Sequence, residues 1–161
     1  HVKARGPGKA VFLMFDEETE RLAAAAGLEV AFPPAALRRR LDSKIVTTQL
    51  GDEAGVPSVP NTLGRASVYG DLLKLGAGAG IGTDLVVQTP YGDSGQTTFF
   101  IASEDDWHEH ESQMMGQELK VMKRINCREA AIEGVITRHG TLVGLIARAL
   151  RCAQSDSDLI A

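Results

Sequence analysis

The sequence predicts an α/β chain of α+β organisation, in which a small parallel β-α-β unit precedes a mainly antiparallel lobe of strands and two helices. Three observations carry this expectation. Near the N-terminus, two short apolar runs flank an Ala-rich helical stretch, the pattern of parallel strands joined by a crossover. After Asp84, strand-like runs recur with short turns and one helix between them. The 161 residues, 43% hydrophobic and 24% charged, suit one ordinary domain or two small packed lobes of a soluble globular protein.

The elements follow in order. Ala10–Phe15 (AVFLMF) has the shape of a buried parallel strand. Asp16-Glu17-Glu18-Thr19 opens a helix with acidic residues that complement its dipole, and Gly27 ends it. Leu28–Phe32 reads as a second strand. Pro33-Pro34 starts a helix over Ala35–Leu41, which carries Arg38, Arg39 and Arg40. Asp42 or Ser43 caps the next helix, with Lys44 near its start and Gly55 at its end. Val56–Gly64 (VPSVPNTLG) is extended and turn-rich, a boundary between lobes. Arg65–Leu75 is a helix, and Asp84–Thr89 and Thr97–Ala102 are strands around a Gly-containing loop. Ser103 caps a helix to about Gln117. Glu118–Ile125 and Glu129–Arg138 are strands, and His139-Gly140 turns into a last strand at Thr141–Ile146. The segment after it reads as a weak helix and polar tail.

Composition excludes several classes. A net charge of −4 argues against a general nucleic-acid footprint. No apolar run approaches the ~18 residues of a membrane span. Cys127 and Cys152 lie far apart, without a C-x-x-C or a dense cysteine pattern, which fits a reducing cytoplasm better than a disulfide scaffold. The chain begins at His1 and carries a short basic lead (Lys3, Arg5, Lys9), so it reads as a piece of something longer or as a processed chain.

Two glycine-rich stretches invite a nucleotide reading. Gly76–Gly82 (GAGAGIG) resembles a dinucleotide fingerprint, but a helix precedes it and a strand follows, the reverse of the required order. It reads as a helix-to-strand connector. Leu85–Phe100 (LVVQTPYGDSGQTTFF) has the strand–loop–strand context of a flap. Gly92 and Gly95 permit close backbone approach, and the amides around Asp93, Ser94, Gly95 and Gln96 can form a nest for phosphate oxygens. Ser94, Thr97 and Thr98 add hydroxyl donors. The bland alternative is a β-hairpin with a long polar loop.

An ordered set extends this pattern: Lys44 at a helix start, the ending Ala54-Gly55-Val56-Pro57-Ser58-Val59-Pro60, the flap, then an apolar strand ending Met122-Lys123-Arg124-Ile125. Over roughly Phe12 to Gly144 this set resembles the ATP-grasp superfamily, in the style of its carboxylate–amine ligases and biotin carboxylases. The resemblance implies that residues 1–41 are the end of a pre-ATP-grasp lobe, 42–64 a connecting helix and linker, 65–146 the nucleotide-binding flap lobe, and 147–161 a tail. It implies that Lys44 reaches the nucleotide phosphates and that Gly92, Asp93, Ser94, Gly95, Gln96 and Thr97 close over them. Lys123, Arg124 and Ile125 would form the hinge, where the Lys123 carbonyl accepts from the adenine amino group and the Ile125 N–H donates to a ring nitrogen. The partners implied are an adenine nucleotide and a small carboxylate. The reaction implied is transfer of the ATP γ-phosphate to that carboxylate, followed by attack of an amine or similar nucleophile on the acyl phosphate.

The sequence departs from the family pattern in two ways. Gln88 stands where the strand before the flap usually carries a lysine, and Gln96 where the flap often carries a basic residue; glutamine donates a hydrogen bond but brings no charge. Arg124 is the candidate for a compensating cation. The family's Mg²⁺ ligands lie on strands well after the hinge, so they are expected outside this chain; Asp156 and Asp158 read as solvated tail. A non-catalytic nucleotide-binding or interaction module is therefore the alternative. Among the remaining residues, His108 and His110 at i and i+2 point to different helix faces and suit no zinc site. Glu104, Asp105, Asp106, Glu109 and Glu111 read as an exposed surface, Arg38–Arg40 as solvated or salt-bridged, Trp107, Met114 and Met115 as packing residues, and Cys127 as non-catalytic.

Overall fold

A computed structural model of the chain describes residues 7–12, 14–92, 95–126 and 131–147. Leu13, Asp93, Ser94, Cys127, Glu129, Cys152, Asp156 and Asp158 lie outside the described residues, as does the expected tail beyond residue 147. Among the described residues no helix is long and apolar enough to cross a membrane.

The N-terminal layer is the expected small parallel unit. Strand β1 (Gly8–Ala10) pairs in parallel with β2 (Leu28–Val30), and helix α1 (Glu17–Ala25) connects them. Asp16 caps α1 by accepting from the Thr19 N–H at 2.8 Å. The strand expected at Ala10–Phe15 lies earlier, at Gly8–Ala10, because its partner β2 ends at Val30 and offers no ladder beyond it. The rings of Phe12 and Phe32 instead flank Phe15, each with its centroid 6.1 Å from that of Phe15. Helix α2 (Ala35–Asp42) packs on this layer through Arg38, which donates to the Phe15 carbonyl at 2.8 Å and pairs with Asp42 at 3.6 Å. Arg38 and Arg39 are salt-bridged as expected, to Asp42 and Glu17, but Arg38 is also half-buried and clamps the Phe15 carbonyl.

Helix α3 (Lys44–Glu53) is capped by the Ser43 side chain, and Gly55 leaves it at φ 67°, a conformation that favours glycine. The chain then enters a four-stranded antiparallel sheet of order β3-β6-β4-β5, formed by β3 (Asn61–Gly64), β4 (Leu85–Gln88), β5 (Thr98–Ile101) and β6 (Leu119–Lys123). Asn61–Gly64 sits in a turn-rich segment, and its strand character comes from pairing with β6. Helix α4 (Tyr69–Gly78) starts four residues later than Arg65 and runs into the glycine-rich connector. Gly76 is required there: a Cβ would stand 2.6 Å from the Gly82 carbonyl oxygen.

Alternation divides the sheet cleanly. Leu85, Val87, Phe99, Ile101, Leu119 and Val121 project into the core with Leu72 of α4 and with Trp107 and Met114 of α5 (Glu104–Met114). Met115, expected to pack, is 48% exposed because α5 has already ended. The opposite face carries Val86, Gln88, Thr98, Phe100, Lys120 and Met122, none fully buried. Strands β7 (Ala131–Thr137) and β8 (Gly140–Ala147) form a separate hairpin.

Helix α5 starts with a reciprocal capping box. The Ser103 hydroxyl accepts from the Asp106 N–H, while the Asp106 carboxylate accepts from the N–H groups of Ala102 and Ser103, each at 2.9 Å. The Ala102 N–H, then the Ser103 hydroxyl and N–H, hold the Asp106 carboxyl below its ordinary value of 3.8. A carboxyl depressed on folding contributes stability above its unfolded value and loses it as pH falls through the folded value. Ser103→Ala is expected to lower unfolding free energy by about 1 kcal/mol. Asp106→Asn is expected to be less stable than wild type near neutral pH, with the two converging in acid below 3.8; urea unfolding at both pH values checks this.

Candidate functional site

The outward face of the sheet has two differentiated ends, set by the β4–β6 ladder. Leu85 lies opposite Lys123 and Gln88 opposite Lys120. At about 3.3 Å per residue the ends are about 10 Å apart, comparable with the span from base edge to phosphates in an extended nucleotide.

The first end is the segment Lys123–Ile125. The Lys123 N–H donates to the Pro60 carbonyl at 3.0 Å. Facing residues in such a pair normally exchange two N–H···O bonds, but Pro60 has no N–H to return. The Lys123 carbonyl therefore has no partner in the ladder, and none among the described residues. The next amide, Arg124, donates the other way, to the Asp84 carbonyl at 3.1 Å. Strand β6 ends at Lys123, and Ile125 lies two residues beyond it, exposed. This end of β6 thus offers one unclaimed backbone acceptor. The Arg124 guanidinium lies 4.9 Å from the Phe100 ring centroid and pairs with Asp84 at 3.6 Å. It buttresses this end and is not drawn to the loop at the other.

The second end is the loop after β4. The backbone N–H of Lys44 donates to the Pro90 carbonyl and its ammonium to the Gly92 carbonyl, both at 2.8 Å. The start of α3 is thereby fastened to the loop. Gly92 has φ 144°, and a Cβ there would collide with the Thr97 side chain, so glycine is needed for both conformation and space. Thr97 Oγ1 is the one buried side-chain polar atom without a hydrogen-bond partner among the described residues. The loop closes through Thr98 N–H to the Gly95 carbonyl and Thr89 N–H to the Thr97 carbonyl. Gly95 and Gln96 are exposed. Gln88 donates its side-chain amide to Thr98 Oγ1 at 3.0 Å.

One residue of this face escapes the sequence reading. Lys120 is half-buried beside Gln88, and burial pulls its ammonium below the usual lysine range, partly opposed by the Asp52 carboxylate on α3. The signal existed in ELKVMKRI, where Lys120 alternates with core-facing Leu119 and Val121. The rest of the polar surface carries less. Among the described residues no three His, Cys, Asp or Glu side chains gather where one ion could touch them. His108 pairs with Glu111, and His110 packs on Phe99. A hollow of about 390 Å³ lined by Phe12, Phe15, Phe32, Pro33, Leu37, Arg38, Leu41 and Asp42 belongs to the N-terminal layer and includes no residue of either end.

No protein-family model matches the sequence, and no curated protein matches it. Solved structures do match its fold. N5-carboxyaminoimidazole synthase from Aspergillus clavatus, in complex with ADP and 5-aminoimidazole ribonucleotide, is 18% identical with a TM-score of 0.65 over 90% of this chain and 36% of its own. D-alanyl-alanine synthetase A from Vibrio cholerae is 13% identical with a TM-score of 0.65 over 86% of this chain and 44% of its own. A RimK domain protein ATP-grasp from Sphaerobacter thermophilus is 17% identical with a TM-score of 0.52 over 87% and 72%. The fold is the ATP-grasp fold. The chain spans less than half the length of the first two of these proteins. The loop after β4 is the segment expected to be the flap, and Lys123–Ile125 the segment expected to be the hinge.

Gly92→Ala is expected to displace Thr97 and strain the base of this loop, lowering unfolding free energy by about 1–3 kcal/mol. Amide exchange at Thr89 and Thr98 should accelerate in that variant, while exchange in the core of β6 should follow only the global change.

Proposed function

We propose that this protein binds an adenine nucleotide across the outward face of its sheet, with the base at the hinge and the phosphates under the flap, as the ATP-binding part of an ATP-grasp ligase. The observation that carries this reading is the Lys123 carbonyl, freed by Pro60 at the end of β6, with the Ile125 N–H two residues on as the expected donor. Adenine presents an amino donor and a ring-nitrogen acceptor that suit this pair. Guanine presents a carbonyl where adenine has its amino group, and two acceptors would then face each other.

At the other end, the Lys44 ammonium supplies charge beneath the flap. The Gly95 and Gln96 amides would close from above. The expected flap residues Asp93 and Ser94 complete the loop in sequence. ATP bound in this way would supply the γ-phosphate that activates a small carboxylate for attack by an amine or similar nucleophile. The neighbouring structures support the reading through their fold and, for the synthase from Aspergillus clavatus, through the ADP in its complex.

Calorimetric titration with ADP and GDP tests the proposal. ADP should bind at least about tenfold more tightly than GDP, and Lys44→Ala should weaken ADP by about tenfold, the loss of one charge-assisted contact. Pro60→Ala, which offers an N–H to the Lys123 carbonyl, should reduce the preference for ADP. Absence of adenine-nucleotide binding overturns the proposal. Binding without ATP turnover on any carboxylate would make the protein a non-catalytic nucleotide-binding module, a reading that the uncharged Gln88 and Gln96 favour.

A further inference from the structure

The flap end is short of positive charge for a surface that holds phosphates. Gln88 spends its amide on Thr98, Gln96 is neutral, and Arg124 lies at the opposite end over Phe100. One more cation faces the same surface at the flap end. Lys120 stands directly across the β4–β6 ladder from Gln88, and directly opposed residues of an antiparallel pair project from the same face. The strands are about 4.8 Å apart, and the four-carbon lysine stem is longer than that. An ammonium rooted at Lys120 therefore reaches the space above Gln88.

The surroundings of Lys120 give it no evident structural partner. Leu63 lies opposite it on β3, and Met122 follows it on the same face. Among the described residues no carboxylate comes within 4.0 Å of its ammonium, and Asp52 acts only at longer range. A half-buried ammonium loses hydration that the longer-range Asp52 carboxylate returns only in part, whereas an aliphatic side chain would cover the same apolar surface without that cost.

We propose that Lys120 supplies the phosphate-contacting charge that Gln88 lacks, so that the positive charge has moved across one rung of the ladder while keeping its place beneath the flap. This rests on the nucleotide-binding reading above. The burial that depresses the Lys120 ammonium agrees with it, since a phosphate would restore the lost solvation.

The test compares ADP with adenosine, which lacks phosphates, by calorimetry on wild type, Lys120→Gln, Lys120→Arg and the exchange Gln88→Lys/Lys120→Gln. Lys120→Gln should weaken ADP by about tenfold and leave adenosine unchanged. Lys120→Arg should retain ADP affinity, and the exchange should restore it. Thermal unfolding of Lys120→Gln should match or exceed that of wild type; if this variant does not fold, Lys120→Met carries the same expectation. Wild-type ADP affinity in Lys120→Gln overturns the inference and leaves nucleotide binding standing. Equal losses for ADP and adenosine overturn it in favour of a structural role. A wild-type protein that binds neither ligand overturns the nucleotide reading and this inference together.

Discussion

The antiparallel register between β4 and β6 sets the two ends of the candidate site. Leu85 and Val87 on one strand and Val121 and Leu119 on the other enter the same core beside Trp107, so a slip of one residue would turn this apolar set to solvent and Gln88 and Lys120 inward. Burial of that set locks the register far more firmly than any polar contact on the open face. Once it is locked, Lys123–Ile125 must sit at the Leu85 end and the glycine-containing loop at the Gln88 end. The pairing of Asn61–Gly64 with β6 adds the last constraint, because it brings Pro60 against Lys123 and leaves one carbonyl of the edge unclaimed.

The electrostatics of the face follow from that scaffold. The chain is net acidic, and its outward face offers few cations. Lys44 is delivered from another element, at the capped start of α3, and grips the loop through the Gly92 carbonyl. Lys120 comes from the sheet itself and bears the desolvation of a half-buried position. Lys44 holds the loop at the Gln88 end, where Lys120 stands opposite Gln88, whereas Arg124 is committed to Phe100 and Asp84 at the other. Such separation suits a ligand with an uncharged flat head and an anionic tail.

Features encoded over a few residues were legible in the sequence. Asp16, Ser43 and Ser103 cap the helices that follow them, because capping uses only the next turn. The glycine-containing loop, the Lys123–Ile125 segment and the A-G-V-P segment were visible as short motifs in order. Features that depend on a distant partner were not. The strand at Asn61–Gly64 exists because β6 pairs with it, and the first strand lies at Gly8–Ala10 instead of Ala10–Phe15 because β2 pairs only that far. The burial of Arg38 depends on the Phe15 carbonyl, 23 positions away in sequence. Alternation in ELKVMKRI showed that Lys120 leaves the core, but only the register shows that it faces Gln88.

The central claim is that one surface separates base recognition from phosphate recognition. Backbone amide shifts measured by NMR during separate additions of adenosine, pyrophosphate and ADP test it most directly. Adenosine should move the Ile125 amide and its neighbours, pyrophosphate should move Lys44 and the flap amides of Gly92 and Gly95, and ADP should move both sets. Shifts confined to the N-terminal hollow around Phe15 and Phe32, or the same residues responding to adenosine and pyrophosphate alike, would contradict it.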